Sequence, residues 1–151
     1  MNLSGEHIVP APKKVVWDAV TDPTVLCKII PGCQELSQTS EAEYEAVAQV
    51  KVGPLKARFK GTVRLTDIEA PDRCRIIGEG QGGAAGFASG SAYLQLEERD
   101  GVTIVRYDAD ASIGGKLAQI GSRIVSGVAE KLTLKFFENL SDHFEVAKEP
   151  A

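Results

Sequence analysis

The feature that most constrains this chain is a change of hydrophobic period near residue 114. From about Gln34 to Ser112, apolar residues recur at every second position. From Lys116 to about Val146 they recur at three and four. A period of two marks half-buried strands, and a period near 3.6 marks an amphipathic helix. The clearest strand is Leu55 to Leu65, where Leu55, Ala57, Phe59, Gly61, Val63 and Leu65 alternate with Lys56, Arg58, Lys60, Thr62 and Arg64. Tyr44 to Val52 precedes it across Gly53-Pro54, and Arg73 to Gly78 follows the turn at Ala70-Pro71-Asp72. Ala92 to Glu97 and Thr103 to Ala111 flank Asp100-Gly101, a strong hairpin signal. No helical stretch separates the later strands. The expectation is an α+β fold, with a curved antiparallel sheet of six or seven strands wrapped around a long C-terminal helix.

Asn2 to Val9 reads as a first strand, ended by Pro10 and Pro12. Pro12 suits the first turn of a helix, where a missing N–H costs nothing. Val15, Val16, Ala19 and Val20 continue that helix to Thr21. Asp22-Pro23 opens a second short helix, with Asp22 as cap and Pro23 at the first position. Pro31-Gly32 stops it. In the C-terminal block Leu117, Ile120, Ile124, Val128 and Leu132 share one side, and Lys116, Gln119, Arg123, Ser126 and Glu130 the other. Unbroken, its roughly 31 residues would make a rod of roughly 46 Å. Steps of four drift by about 40°, so Phe136, Leu140 and Phe144 face away from Leu117. Either the helix bends around the sheet, or its last turns offer an apolar strip to something else. The expected division is one domain over 1–146 and a frayed tail over 147–151.

Lys and Arg number 17 against 21 Asp and Glu, a net charge of −4. That argues against a dedicated nucleic-acid binder, which draws much of its affinity from phosphate neutralisation. Cys27, Cys33 and Cys74 form no CxxC pair, and the N-terminus carries no charged segment followed by an apolar one. These features predict reduced thiols in the cytoplasm. No apolar run reaches the roughly 18–20 residues needed to cross a bilayer.

A G-x-G-x-x-G match falls at Gly78, Gly80 and Gly83, but strand alternation follows it, not the helix a dinucleotide site requires. The stretch Gly78 to Gly90 is expected to be a flexible connection, or a flap beside a cavity. His7 and His143 have no His or Cys at ligand spacing, so no metal site is expected. No nucleophile elbow is present, and Asp108 and Asp110 share a strand face that points to solvent. No catalytic residue is assigned. Lys51, Lys56, Arg58, Lys60 and Arg64 give one strand face five cations with no acid between them. Such a face is either a solvated guard against edge aggregation or a dock for an acidic partner or anionic membrane.

The order of strand, two short helices, antiparallel strands and long helix resembles the helix-grip fold of the START, Bet v 1 and polyketide-cyclase-like superfamily. Three stretches are similar to the carbon monoxide dehydrogenase G-subunit (CoxG) family: Pro31-Gly32-Cys33, Val52 to Gly61 (VGPLKARFKG), and Gly114 to Arg123 (GGKLAQIGSR). The Phe136-Phe137 pair fits as well. The resemblance implies an accessory protein of a molybdenum hydroxylase such as carbon monoxide dehydrogenase, linked with attaching the enzyme to the membrane. It also implies an apolar ligand held between sheet and helix. Some members continue into a membrane-binding tail, whereas this sequence stops at Ala151.

The small residues Gly114, Gly115, Ala118, Gly121, Ser122, Gly127 and Ala129 leave room at the start of the long helix. The expected pocket is therefore lined by Phe59, Val63, Leu94 and Tyr107 from the sheet, by Phe87 from the nearby loop, and by Leu117, Ile120, Gly121, Ile124 and Val128. A lipid or an isoprenoid quinone would suit it, with no tightly bound cofactor. Lys56, Arg58, Lys60, Arg64, Phe137 and Phe144 are the expected partner or membrane surface. The alternatives are a docking adaptor without a ligand, or a cyclase- or hydrolase-like enzyme using the same cavity. The expected location is cytoplasmic, peripheral on the inner face of the membrane when docked.

Overall fold

The computed structural model describes residues 1–148. The elements are β1 (Asn2–Val9), α1 (Lys13–Val20), α2 (Pro23–Ile29), β2 (Cys33–Ser40), β3 (Glu43–Val52), β4 (Leu55–Glu69), β5 (Arg73–Gln81), β6 (Phe87–Arg99), β7 (Val102–Gly114), α3 (Lys116–Gln119) and α4 (Ser122–Lys148). The tail expected at 147–151 lies, from residue 149 on, outside the described residues.

The seven strands form one antiparallel sheet in the order β1-β7-β6-β5-β4-β3-β2. Consecutive strands from β2 to β7 are neighbours because each short turn can only return the chain beside itself. β1 closes the far edge against β7, with Val9 opposite Thr103 and Asn2 opposite Asp110. The alternation of β4 is realised: Lys56, Arg58, Lys60 and Arg64 are exposed while Ala57 is buried and Phe59, Val63 and Leu65 are half-buried on the other face.

The two short helices follow their start signals. Asp22 caps α2 by accepting the Thr24 N–H at 2.9 Å, and Pro23 occupies the first helical position. Pro12 stands one place earlier than expected, as the extended N-cap residue of α1. After α2, Gly32 adopts φ +77°, and its carbonyl accepts the Gln49 N–H at 2.9 Å. A Cβ at Gly32 would lie 2.2 Å from the Gln49 carbonyl oxygen, so only glycine lets the chain turn this tightly against β3.

Two sequence expectations are corrected. Gly78 to Gly90 is no flexible connection: Gly78 and Gly80 belong to β5 and Gly90 to β6, with Gly78 opposite Gly90. The true connection is a tight turn over residues 82–86, closed by the Gly82 N–H donating to the Gly86 carbonyl at 2.7 Å. The C-terminal helix is also not one rod. Gly121, at φ +107°, separates the single turn of α3 from α4, whose 27 residues span about 40 Å. The break resets the helical phase, so Val125 is buried and Ile124 is not.

The main core lies between α1, α2, the second half of α4 and the strand ends beneath them: Val9, Val16, Trp17, Ile29, Cys74, Leu96, Val105, Phe137, Leu140 and Phe144. Thr103 is fully buried there, and its hydroxyl donates to the Ala11 carbonyl at 2.7 Å. A smaller cluster of Val52, Leu117 and Val125 closes the opposite end of the sheet.

Candidate functional site

The main core is incompletely filled. A cavity of about 210 Å³ lies between the inner face of the sheet and the helices. β4, β5 and β6 line it with Val63, Leu65, Cys74, Ile76, Leu94 and Leu96. α1 adds Val16 and Val20, α2 adds Leu26 with Ile30 just past its end, and α4 adds Phe136, Phe137 and Leu140. The period-two pattern directs the strand residues inward, and the helical stripes of α1 and α4 meet them from the other side.

The polar side chains of the lining are Thr21, Tyr44 and Cys74. Tyr44 donates its hydroxyl to the Thr21 carbonyl at 2.9 Å, and the Thr21 hydroxyl donates to the Trp17 carbonyl at 2.9 Å. Burial, then the nearby Asp22 and Cys74, raises the Tyr44 phenol above its ordinary value. Burial alone pushes the Cys74 thiol up to about 11, so it stays protonated and neutral at pH 7. No charged side chain lines the space. A hydrogen-bond acceptor brought inside would find no free hydroxyl donor and would exchange water for hydrocarbon, at a cost of about 1–3 kcal/mol.

Of the expected pocket residues, Val63 and Leu94 line this cavity. The others lie elsewhere. Phe59, Leu117, Ile120 and Val128 pack into the smaller cluster at the opposite end. Ile124 is 44% exposed, and its side chain sits over the Gly53 turn. Gly121 is the break between α3 and α4 and touches nothing. Phe87 covers Gly114: a Cβ there would fall 2.2 Å from its ring. Tyr107 packs beside Phe137, with ring centroids 5.4 Å apart, over a Gly5 whose Cβ would come 2.9 Å from the phenol oxygen. Gly114 and Gly115 therefore serve close approach, Gly114 to the Phe87 ring and Gly115 to the Gly86 backbone, whereas Gly121 and Gly127 have open space beside them. A Cβ on Gly86 would lie 2.1 Å from the Gly114 carbonyl oxygen, so the chain is closed at that point, and the space beside the helix start is an open groove of about 340 Å³ lined by Ala118, Ser122 and Val125 with Met1 and Ile113.

Phe137 and Phe144 are corrected as well. Each is 5% exposed, so neither offers a free surface. The apolar strip along the second half of α4 packs into the protein's own core, against β1, β7 and α2, with Asn139 donating its side-chain amide to the Ile29 carbonyl at 3.1 Å. The signal that went unused in the sequence is the apolar side of α1, Val16 and Trp17, which shares one core with the strip.

The basic residues are placed as expected, and more join them. Lys51, Lys56, Arg58, Lys60 and Arg64 are exposed, as are Lys116 and Arg123. None of the seven forms an ion pair among the described residues. Residues 46–61, 80–90 and 111–129, which build this end of the sheet, contain no Asp or Glu, whereas Arg64 lies further along β4, opposite Glu43. Phe87 and Ile124 are exposed at the same end, which is the end away from the cavity.

Among the described residues no group of three or more His, Cys, Asp or Glu gathers to hold a metal. Cys27 and Cys33 lie together, the Cys27 thiol 3.9 Å from the Cys33 carbonyl oxygen. Partial burial, then the Cys27 thiol, pushes Cys33 up to about 12, so it stays protonated at neutral pH. No helix among the described residues is long and apolar enough to cross a membrane.

Comparison with known proteins agrees with this architecture. A conserved protein from Geobacillus kaustophilus has 32% sequence identity and a TM-score of 0.89, over 98% of this chain and 96% of that one. A START superfamily protein from Mycobacterium smegmatis superposes with a TM-score of 0.73 at 12% identity, over 97% and 99% of the two chains. Ara h 8.0201 superposes with a TM-score of 0.63 at 14% identity, over 95% and 96%. These two share the fold. No curated protein matches the chain. The family model of the carbon monoxide dehydrogenase G-subunit (CoxG) matches residues 5–144, and with nearly the whole chain inside that match, the chain belongs to this family.

Proposed function

We propose that the protein is a non-catalytic accessory protein of a molybdenum hydroxylase of the carbon monoxide dehydrogenase type. It holds the apolar part of a lipid or isoprenoid quinone between sheet and helices and helps link the enzyme to the inner face of the membrane. The observation that carries this reading is the cavity of about 210 Å³, whose hydroxyls at Thr21 and Tyr44 are engaged with backbone carbonyls. Such a space suits a greasy ligand, and its two hydroxyl protons are already committed to backbone carbonyls. A quinone adds chemical sense, because an oxidising molybdenum enzyme must pass its electrons onward. Solvent extraction of protein purified from its native cell, followed by mass spectrometry, tests the ligand, and co-purification tests the enzyme partner. A bound quinone or lipid together with a molybdenum hydroxylase supports the proposal. An extract free of both, with no binding of added quinone, overturns the ligand.

A second reading, a docking adaptor without a ligand, is favoured by the acid-free end carrying Lys51, Lys56, Arg58, Lys60, Lys116 and Arg123. It predicts the same partner with an empty cavity.

A further inference from the structure

We infer that the cavity takes a ligand tail first: it accepts roughly eight carbons of an unfunctionalised hydrocarbon end and leaves any polar head outside, above the middle of the sheet. This rests on the reading of the cavity as an apolar ligand site. The size follows from volume. A cavity of about 150 Å³ holds one benzene, so about 210 Å³ holds roughly eight carbon atoms. A whole quinone ring with its chain does not fit. The orientation follows from the hydrogen bonds, because Thr21 and Tyr44 already donate to backbone carbonyls and have no donor left for a ligand carbonyl.

The direction of exit follows from burial along the strands. Cys74 on β5 and Leu96 on β6 are buried at the deep end. The next inward positions, Ile76 and Leu94, are half-buried, as are Gly78 and Ala92 beyond them. Exposure on the inner face therefore begins above the cavity. A Cβ built on Gly78 meets only the Thr62 carbonyl oxygen, 3.9 Å away, so this floor is open where the ligand would leave.

Titration calorimetry with straight-chain carboxylates from butanoate to hexadecanoate, the matching uncharged alkyl glucosides, and a quinone bearing only methyl substituents tests this. Affinity should rise about fourfold per methylene up to roughly eight carbons, then flatten to less than about twofold per methylene. Exchanging the carboxylate for the sugar should matter less than two methylenes, and the tail-less quinone should not compete. Gly78→Leu should weaken hexadecanoate by at least about tenfold and leave hexanoate unchanged, a comparison within one folded variant. Tight binding of the tail-less quinone, or affinity set by the head group, overturns the tail-first orientation while leaving the cavity a ligand site. Absence of binding by every probe overturns both.

Discussion

The imidazole of His7 lies flat on the ring of Phe137, with centroids 4.1 Å apart and planes 12° from parallel. Tyr107 joins the group at 5.4 Å from Phe137, and Phe136 meets Phe137 edge-on at 5.2 Å. Phe137 is thus the point where α4 is fastened to β1 and β7, and its other side forms part of the cavity wall. Offset and edge-on aromatic pairs add about 0.5–1.5 kcal/mol each beyond burial.

Phe137→Ala should accordingly lower the unfolding free energy by about 3–5 kcal/mol in urea, as for other buried aromatic truncations. A loss below about 1 kcal/mol would mean that the ring is a surface group, as its position near the end of the helix suggests from sequence alone.

The break at Gly121 makes a paired prediction. Val125→Ala should cost about 2 kcal/mol, because Val125 is the residue turned into the smaller cluster. Ile124→Ser should change stability by no more than about 0.5 kcal/mol. Reversed values would show that α3 and α4 run as one continuous helix in solution.

These two tests bracket what was legible in the sequence. The strands, their antiparallel order and the two short helices could be read because each depends on local signals: the alternation from Leu55 to Leu65, Asp22-Pro23, and Asp100-Gly101. The helix break could not, since one glycine inside an amphipathic stretch costs only about 1 kcal/mol and is commonly tolerated. Missing it shifted the apparent inward face by one residue, from Val125 to Ile124. The cavity was misplaced for a related reason. Small residues near Gly114 looked like empty space, but emptiness depends on what packs against them, and there Phe87 and the Gly86 backbone do. The real gap arises where α1 and α2 hold the second half of α4 above Cys74 and Leu96, a relation that no sequence spacing contains.

Alkaline pH should destabilise the protein, chiefly through the buried thiol of Cys74. A free thiol titrates near 9.0, and burial pushes Cys74 up to about 11, so the folded state holds its proton more tightly than the unfolded chain. Its contribution is present below about pH 9 and is lost as pH rises through the folded value near 11. Cys33, up to about 12, and Tyr44, also raised, act in the same direction. Melting temperatures recorded from neutral pH upward should fall above about pH 9, and Cys74→Ala should reduce that slope without removing it. An unchanged slope in the variant would show that Cys74 is solvated in the folded state.

The basic face makes a docking prediction. Arg58→Glu with Lys60→Glu should reduce sedimentation with phosphatidylglycerol vesicles by at least about thirtyfold in affinity, taking about 1 kcal/mol per basic residue lost. The melting temperature should stay the same, because both side chains are exposed. Unchanged sedimentation would exclude this face as the contact.

Charge is unevenly divided between the two ends of the molecule. Residues 46–61, 80–90 and 111–129 carry six of the 17 Lys and Arg and none of the 21 Asp and Glu. The net value of −4 therefore conceals an electric dipole, with a positive end and a strongly negative body. Near an anionic surface the body is repelled while the end is attracted, and a tumbling molecule is turned before it touches. Encounter is then oriented during diffusion, over the roughly 8 Å reach of the field at physiological ionic strength, and the protein arrives with its positive end first.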